Sequence, residues 1–357
     1  MLRQLFSVSL LLLVCGAPRF ASAQNIAVYG AQSPTGDNLK LFNQSGTLLF
    51  DMPFQVSPGS SSSASNATIE DIAMDGAGNI YAVGKPSSSS NRAIFKSTAA
   101  KDQMNILFEK NTLYDSITDG SIAISPSGTI AAYGAQPPGG VGDNLRIFDQ
   151  AGNVLSDMPF QLAPGSSSSG SNANIEDIAF DRQGNLYAVG KPQNDGNRAV
   201  FKSNAAKDEM LIQFEFGIYD STVDGSISIS PNGTIALYGA QNLLGQGSSI
   251  DTFDSTGHIQ NDLVIETAPG SGTYDVNGTI EDITYDGAGN LYAVGKPSAS
   301  ANRTIFKSNF GNGSMDVLFQ RNTIYDATID GSIAIAVPEP AAAALVCLSL
   351  LCLWRRR

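Results

Sequence analysis

The chain has 357 residues, a formal net charge of −12 and 15% charged side chains. An acidic balance of this kind disfavours nucleic acid and anionic lipid surfaces as partners, because both carry like charge. All three cysteines, Cys15, Cys347 and Cys352, sit in apolar end segments. Disulfides, thiol catalysis and cysteine-based zinc sites are thereby excluded from everything between them. In chain order, the first segment reads as an export signal. Arg3 supplies a positive start, Leu5 to Cys15 an apolar stretch, and Ala21-Ser22-Ala23 a small-residue cleavage site. Residues 1–23 are expected to be removed, leaving Gln24 as the mature N-terminus. A transmembrane anchor fits less well, because the apolar stretch is short and a cleavage site follows it.

Residues 24–336 carry 16 basic and 32 acidic side chains, a formal charge of −16. They repeat with a period of about 105 residues. Ile69-Glu70-Asp71 recurs as Ile175-Glu176-Asp177 and Ile280-Glu281-Asp282. The run from Gly78 to Pro86 recurs from Gly184 to Pro192 and from Gly289 to Pro297, and Tyr29-Gly30-Ala31-Gln32 returns at Tyr133 and Tyr238. Each period divides again into two halves of short apolar or alternating strands, separated by turns rich in Gly, Asn and Pro. Asp75-Gly76-Ala77-Gly78-Asn79 places Gly and Asn where a tight turn needs positive φ. Four strands in about 50 residues is the size of a propeller blade. The first period lacks its opening strand, and a matching strand, Asp330 to Ala336, stands at the far end of the body. The expected fold is therefore an all-β, six-bladed β-propeller of three two-blade repeats, closed by a C-terminal strand that completes the first blade. A linear array of small β-sandwiches would leave the split first period unexplained.

The pattern Asp-x-x-Gly-Asn-(Ile/Leu)-Tyr after an Ile-Ala-apolar strand resembles the blades of NHL and gluconolactonase-like six-bladed propellers. That resemblance implies an axial metal held by acidic and Asn ligands. The matching candidates here are Glu70, Glu176 and Glu281, each at the start of an innermost strand, with Asp119, Asp224 and Asp330 from the intervening blades. Converging carboxylates would suit Ca²⁺, a hard cation that takes oxygen ligands. The commoner meaning of an acid copied by duplication is scaffold hydrogen bonding. The set also departs from an enzyme site, which draws different residues from different blades. His258, the only histidine, lies in a turn-like stretch without the Gly-x-Ser-x-Gly partner of a hydrolase triad. Lys85, Lys191 and Lys296, in Gly-Lys-Pro triplets, read as strand ends, because the spacing of a phosphate loop is missing. Arg92, Arg198 and Arg303 read as partners of surface carboxylates. The third period diverges most, at 243–265 and 273–276, and these stretches read as loops.

The last segment begins Val337-Pro338-Glu339-Pro340, continues as fourteen residues from Ala341 to Trp354 without a charge, and ends Arg355-Arg356-Arg357. The two prolines present an extended strip that cannot join a helix or sheet. The apolar run is shorter than the ~20 residues of a usual span, and the arginines would stay cytoplasmic. This three-part order resembles the PEP-CTERM sorting tail of bacterial surface proteins. The resemblance implies an exosortase-type processing enzyme as partner, transient anchoring in the inner membrane of a Gram-negative-type bacterium, and release to the cell surface or extracellular matrix. The domains expected are thus a signal peptide at 1–23, a propeller at 24–336 and a sorting segment at 337–357. The function expected is a binding or structural module with polysaccharide or matrix protein as partner; alternatively, a Ca²⁺-dependent hydrolase of the gluconolactonase-like type.

Overall fold

A computed structural model of the chain describes residues 24–336 except 34–35, 66, 90, 110–119, 136–143, 172, 194–196, 217–224, 242–247, 277, 301 and 321–330. The expected signal segment, the sorting tail and the candidate ligands Asp119, Asp224 and Asp330 lie outside the described residues. Among the described residues there is no α-helix, and the regular structure is entirely β.

The chain starts with β1 (Ile26–Ser33), β2 (Gly36–Phe42) and β3 (Leu48–Met52), which form a four-stranded sheet with a strand from the far end. Next come β4 (Phe54–Gln55), β5 (Ser63–Ala64), β6 (Thr68–Met74), β7 (Ile80–Lys85), β8 (Ala93–Ser97) and β9 (Met104–Glu109), in the order β5-β4-β9-β8-β7-β6. A plain meander follows in β10 (Ile122–Ile124), β11 (Ile130–Ala135), β12 (Asn144–Phe148) and β13 (Val154–Met158). Then β14 (Phe160–Gln161), β15 (Ser169–Gly170), β16 (Asn174–Phe180), β17 (Leu186–Lys191), β18 (Arg198–Ser203) and β19 (Met210–Phe216) reproduce the six-stranded order. The remainder is β20 (Ser226–Ile229), β21 (Ile235–Gln241), β22 (Ser248–Phe253), β23 (Ile259–Glu266), β24 (Tyr274–Asp275), β25 (Thr279–Tyr285), β26 (Leu291–Lys296), β27 (Thr304–Asn309), β28 (Ser314–Gln320) and β29 (Ser332–Ile335). Here β20 to β28 share one nine-stranded sheet.

A single residue accounts for that larger sheet. In the first two cases the outer strand of one meander runs into the next sheet through a proline, Pro53 between β3 and β4 and Pro159 between β13 and β14. Proline lacks the N–H that a continuous ladder needs, so the strand ends and restarts. The sequence-equivalent residue is Val264. Valine keeps its donor, which reaches the Gly313 carbonyl at 3.2 Å. Accordingly β23 runs unbroken, pairing with β22 through Leu263 and with β28 from Val264.

β29 closes the arrangement. It pairs antiparallel with β1 in the register Ile26↔Ile335, Val28↔Ile333 and Tyr29↔Ser332. The inner strands β6, β10, β16, β20 and β25 adjoin in turn, and β29 adjoins both β25 and β6. The result is a propeller-like ring in which sheets are buried on both faces. On one side of the first sheet, Ala27, Tyr29 and Leu39 pack against Ile69, Ile80 and Phe95. On the other, Ile26, Val28, Ile333 and Ile335 pack against Tyr292, Val294 and Ile305. Burial on both faces explains why strands such as Ile130-Ala-Ala-Tyr133 are apolar throughout rather than alternating. The Ser-rich stretches 58–65 and 164–171 contribute the short strands β5 and β15.

The closing strand is expected to be integral to stability. Ile333→Ala or Ile335→Ala should each cost about 2–5 kcal/mol in denaturant unfolding of the whole chain. A loss below about 1 kcal/mol would mean that the ring does not depend on its closure.

Candidate functional site: the acidic axis

The Ile-Glu-Asp sequence lies at a β-bulge. In β6 the register with β7 shifts between Ile69 and Asp71, so Glu70 is the extra residue, and the same shift occurs at Glu176 and Glu281. A bulge re-aims side chains that would otherwise alternate across the sheet. The bulged backbone crowds its partner strand, where only glycine fits. A Cβ at Gly84 would lie 2.2 Å from the Thr68 carbonyl oxygen. The glycine of the Val-Gly-Lys motif is therefore part of the same device as the glutamate. The lysines that follow, Lys85, Lys191 and Lys296, end their strands as expected.

Each re-aimed glutamate meets a buried arginine. Glu70 Oε2 lies 2.7 Å from Arg92 Nε, Glu176 Oε2 2.6 Å from Arg198 Nη2, and Glu281 Oε2 2.5 Å from Arg303 Nε. The arginines are at most 1% exposed. This corrects the expectation that they pair with surface carboxylates. Glu70 and Glu176 also accept the amides of Gly120 and Gly225, each at 3.0 Å, and Glu281 that of Gly331 at 3.2 Å. Each guanidinium then reaches the next sheet. Arg92 donates to the Gly134 carbonyl at 2.7 Å and Arg198 to that of Gly239 at 2.6 Å, while Arg303 donates to that of Gly30. Gly30 has φ +77°, and a Cβ there would lie 2.6 Å from Arg303 Nη1. The Tyr-Gly-Ala-Gln motif thus needs its glycine to admit the arginine.

The aspartate beside each glutamate joins a second assembly, which motif reading did not isolate. Ser121 Oγ lies 2.9 Å from Asp71 Oδ2 and 2.7 Å from Asp177 Oδ1. Ser226 Oγ bridges Asp177 and Asp282 at 2.9 and 2.7 Å. Ser332 Oγ bridges Asp282 and Asp71 at 2.9 and 2.7 Å. Three aspartates and three serines form a closed cycle on the axis. Each carboxyl also accepts two backbone amides, those of Ile72 and Ile122 in the case of Asp71. The cycle contains six short O···O contacts but only three hydroxyl hydrogens. A neutral carboxyl can donate to a contact that no hydroxyl hydrogen fills. Burial pushes the Asp71 carboxyl up, and it pushes Asp177, aided by repulsion from Asp71, to about 7. Asp282 is raised well above the ordinary range by burial and by repulsion from the other two.

Below this cycle the inner strands enclose a cavity of about 120 Å³, running from the three aspartates towards Met74, Phe180 and Tyr285. Small-molecule sites are usually ~300–1,000 Å³. Among the described residues no group of three His, Cys, Asp or Glu side chains is disposed to hold a metal ion. Glu70, Glu176 and Glu281 are instead each engaged with an arginine and a glycine amide. The single histidine, His258, sits in an exposed turn beside Asp254.

One divergent pair stands apart. Lys40 and Arg146 bond across their sheets to Asp51 and Asp157 at 3.1 and 3.2 Å. The sequence-equivalent pair is Asp251 and Asp262, directly opposite in the β22–β23 ladder. Burial and repulsion from Asp262 push Asp251 to about 7. The stretch 243–265 therefore contributes strands with altered chemistry as well as loops.

No family model matches the sequence, and no curated protein matches it. Solved structures do resemble its fold. A chain from a nidogen/laminin complex is 13% identical with a TM-score of 0.55, and the match covers 88% of this chain and 99% of that one. TolB from Acinetobacter baumannii is 12% identical with a TM-score of 0.55, over 88% of this chain and 66% of TolB. These neighbours are β-propellers, and the likeness extends to the fold alone.

Two outcomes follow from the axis. A carboxyl whose folded pKa lies above its unfolded value gives stability that is complete below about pH 4 and is lost as pH rises through the folded value. For Asp177 that value is about 7. Unfolding free energy should therefore fall between pH 4 and 7, by about 1.4 kcal/mol per pH unit for each extra proton held. Asp177→Asn should flatten the slope relative to the parent chain; equal slopes would mean that Asp177 holds no extra proton. Separately, Glu176→Gln should cost about 3–5 kcal/mol in chemical denaturation, because it strands Arg198 without its counter-charge.

Proposed function

We propose that the protein is an exported bacterial β-propeller of six blades, built from three two-blade repeats, that is sorted to the cell surface or matrix and acts there as a binding or structural module. The threefold recurrence of the arginine–glycine and aspartate–serine contacts supports the blade count and the repeats. The observation that carries the functional reading is the state of the axial acids. The described members are consumed by internal bonds to arginine, serine and backbone, and the cavity beside them is small. A hydrolase would need a vacant, asymmetric set of groups facing a substrate-sized space. A rigid disc whose centre is spent on self-assembly has its rim and loops to offer to partners. Polysaccharide and matrix protein are the partners that suit an acidic, cysteine-free surface.

Sorting in this reading runs through residues 1–23 and 337–357. Pro338-Glu339-Pro340 would be the strip recognised by an exosortase-type enzyme. The apolar run would hold the chain transiently in the inner membrane, and Arg355-Arg356-Arg357 would fix its orientation.

Fractionation of producing cells tests both parts. The protein should be recovered from the surface or matrix fraction without its last segment. Replacing Pro338, Glu339 and Pro340 with alanine should retain it in the inner membrane. Identical distribution of the two forms would overturn the sorting role. Ca²⁺-stimulated lactone hydrolysis, lost in Glu176→Gln, would overturn the assignment as a binding module.

A further inference from the structure

A cavity of about 360 Å³ opens between the β20–β21 hairpin, β23, the end of β25 and the β25–β26 and β27–β28 turns. This volume lies within the ~300–1,000 Å³ usual for small-molecule sites. Its lining includes Asn232, Thr234, Gln260, Asn261, Tyr285 and Phe310, and no lining residue is charged. Tyr285 is 2% exposed, yet its hydroxyl has no hydrogen-bond partner among the described residues. A buried hydroxyl left unpaired costs free energy. Phe310 is the opposite case, a large aromatic ring 40% exposed at the cavity.

Tyr285, Phe310, Gln260 and Asn261 have no counterpart in the sequence-equivalent corners. Tyr285 stands where those have Met74 and Phe180, and Phe310 where they have Ala99 and Ala205. Gln260 replaces Leu49 and Leu155, and Asn261 replaces Phe50 and Ser156. The corner has also lost a cation: Asn312 stands where Lys101 and Lys207 stand elsewhere. The Lys207 ammonium lies 3.5 Å from where a Cβ on Gly184 would be, whereas the same point has no described neighbour within 4 Å on Gly289, nor on Gly78 in the copy that carries Lys101. The loss of the lysine removes a cation from this corner, and the substitutions line it with amides, a hydroxyl and an aromatic face.

We infer that this corner is a binding site for a neutral sugar residue of a glycan chain, with Phe310 as the stacking platform and the Tyr285 hydroxyl as a hydrogen-bond partner buried in advance. Amides and hydroxyls match the donors and acceptors of a sugar, and the flat ring matches its apolar face. The absence of charge in the lining selects against uronates and phosphorylated sugars. The inference rests on the surface-module reading and gives its polysaccharide partner a place.

The test is saturation-transfer NMR on the full chain with cellobiose and N,N′-diacetylchitobiose as probes and glucuronate as the anionic control. Saturable binding of a neutral probe is expected. Phe310→Ala should weaken it at least tenfold and Tyr285→Phe several-fold. Tyr285→Phe should leave the melting temperature unchanged or raised, because the hydroxyl it removes has no partner among the described residues. Binding that survives both variants would overturn this site while leaving a saccharide-binding module intact. Preference for glucuronate would overturn the neutral class. No binding of either neutral probe would overturn both the site and the saccharide partner, with the sorting role still decided by fractionation.

Discussion

The fold depends on a one-residue irregularity in three inner strands. Without the bulge at Glu70, Glu176 and Glu281, side chains would alternate strictly, and consecutive acids would point to opposite faces. With it, the glutamate turns towards an arginine of its own sheet, and the aspartate turns to the axis. Two kinds of inter-sheet bond then issue from one local distortion. The arginine carries the link to a glycine carbonyl of the following sheet, and the aspartate carries it through serine to the neighbouring inner strands. Because the last such link runs from Arg303 to Gly30, the end of the ring is tied to its beginning by polar bonds as well as by the β29–β1 ladder.

Polar groups in such positions are an expensive way to hold sheets together. Taking a guanidinium and a carboxylate out of water costs several kcal/mol per ion, and apolar packing often does as well or better. The buried pairs gain their value from direction. Apolar faces such as Ile-Ala-Ile tolerate a slip between sheets, whereas an arginine threaded over a positive-φ glycine permits one register. The tyrosines add a complementary set: Tyr133 donates to the Ala173 carbonyl at 2.8 Å and Tyr29 to that of Ala67 at 3.1 Å. Arginine and tyrosine links fall on alternate junctions between sheets. A protein without disulfides in its body thereby fixes the order and phase of its sheets by hydrogen bonds.

Much of this was legible in the residues. Strand periodicity, the Asp-x-x-Gly-Asn turns and the matching opening and closing strands point to the all-β ring before any coordinate is known. The Asp75 carboxylate accepts the amides of Ala77 and Asn79, as a turn of that composition should. The roles of charged residues were less legible. An arginine at a strand start looks like a surface residue, because nothing local reveals that its neighbour in space is a glutamate displaced by a bulge. The signal lay in the pairing of Ile-Glu-Asp with Val-Gly-Lys, since a mid-strand glycine opposite two acids marks a bulge. The aspartate–serine cycle was harder still, because its bonded members lie 49 to 56 residues apart and, for Ser332, 261 from Asp71. Only closure of the ring brings them together.

The third sequence copy shows how a duplicated scaffold acquires an individual site. It retains every residue of the axis: Glu281, Asp282, Arg303, Ser332 and the glycines against which they pack. Tyr285 ends inner strand β25, but the other substitutions named above lie on the outer strands and turns, where Val264 fuses two sheets, Asp251 reverses a cross-strand charge and Phe310 reaches solvent. That distribution has a physical cause. A change at the axis strands a buried charge or breaks a cycle shared by all sheets, while a change at the edge alters one local contact. Function in such a ring is therefore expected where the copies differ and burial is incomplete, and the uncharged corner beneath Tyr285 and Phe310 meets both conditions.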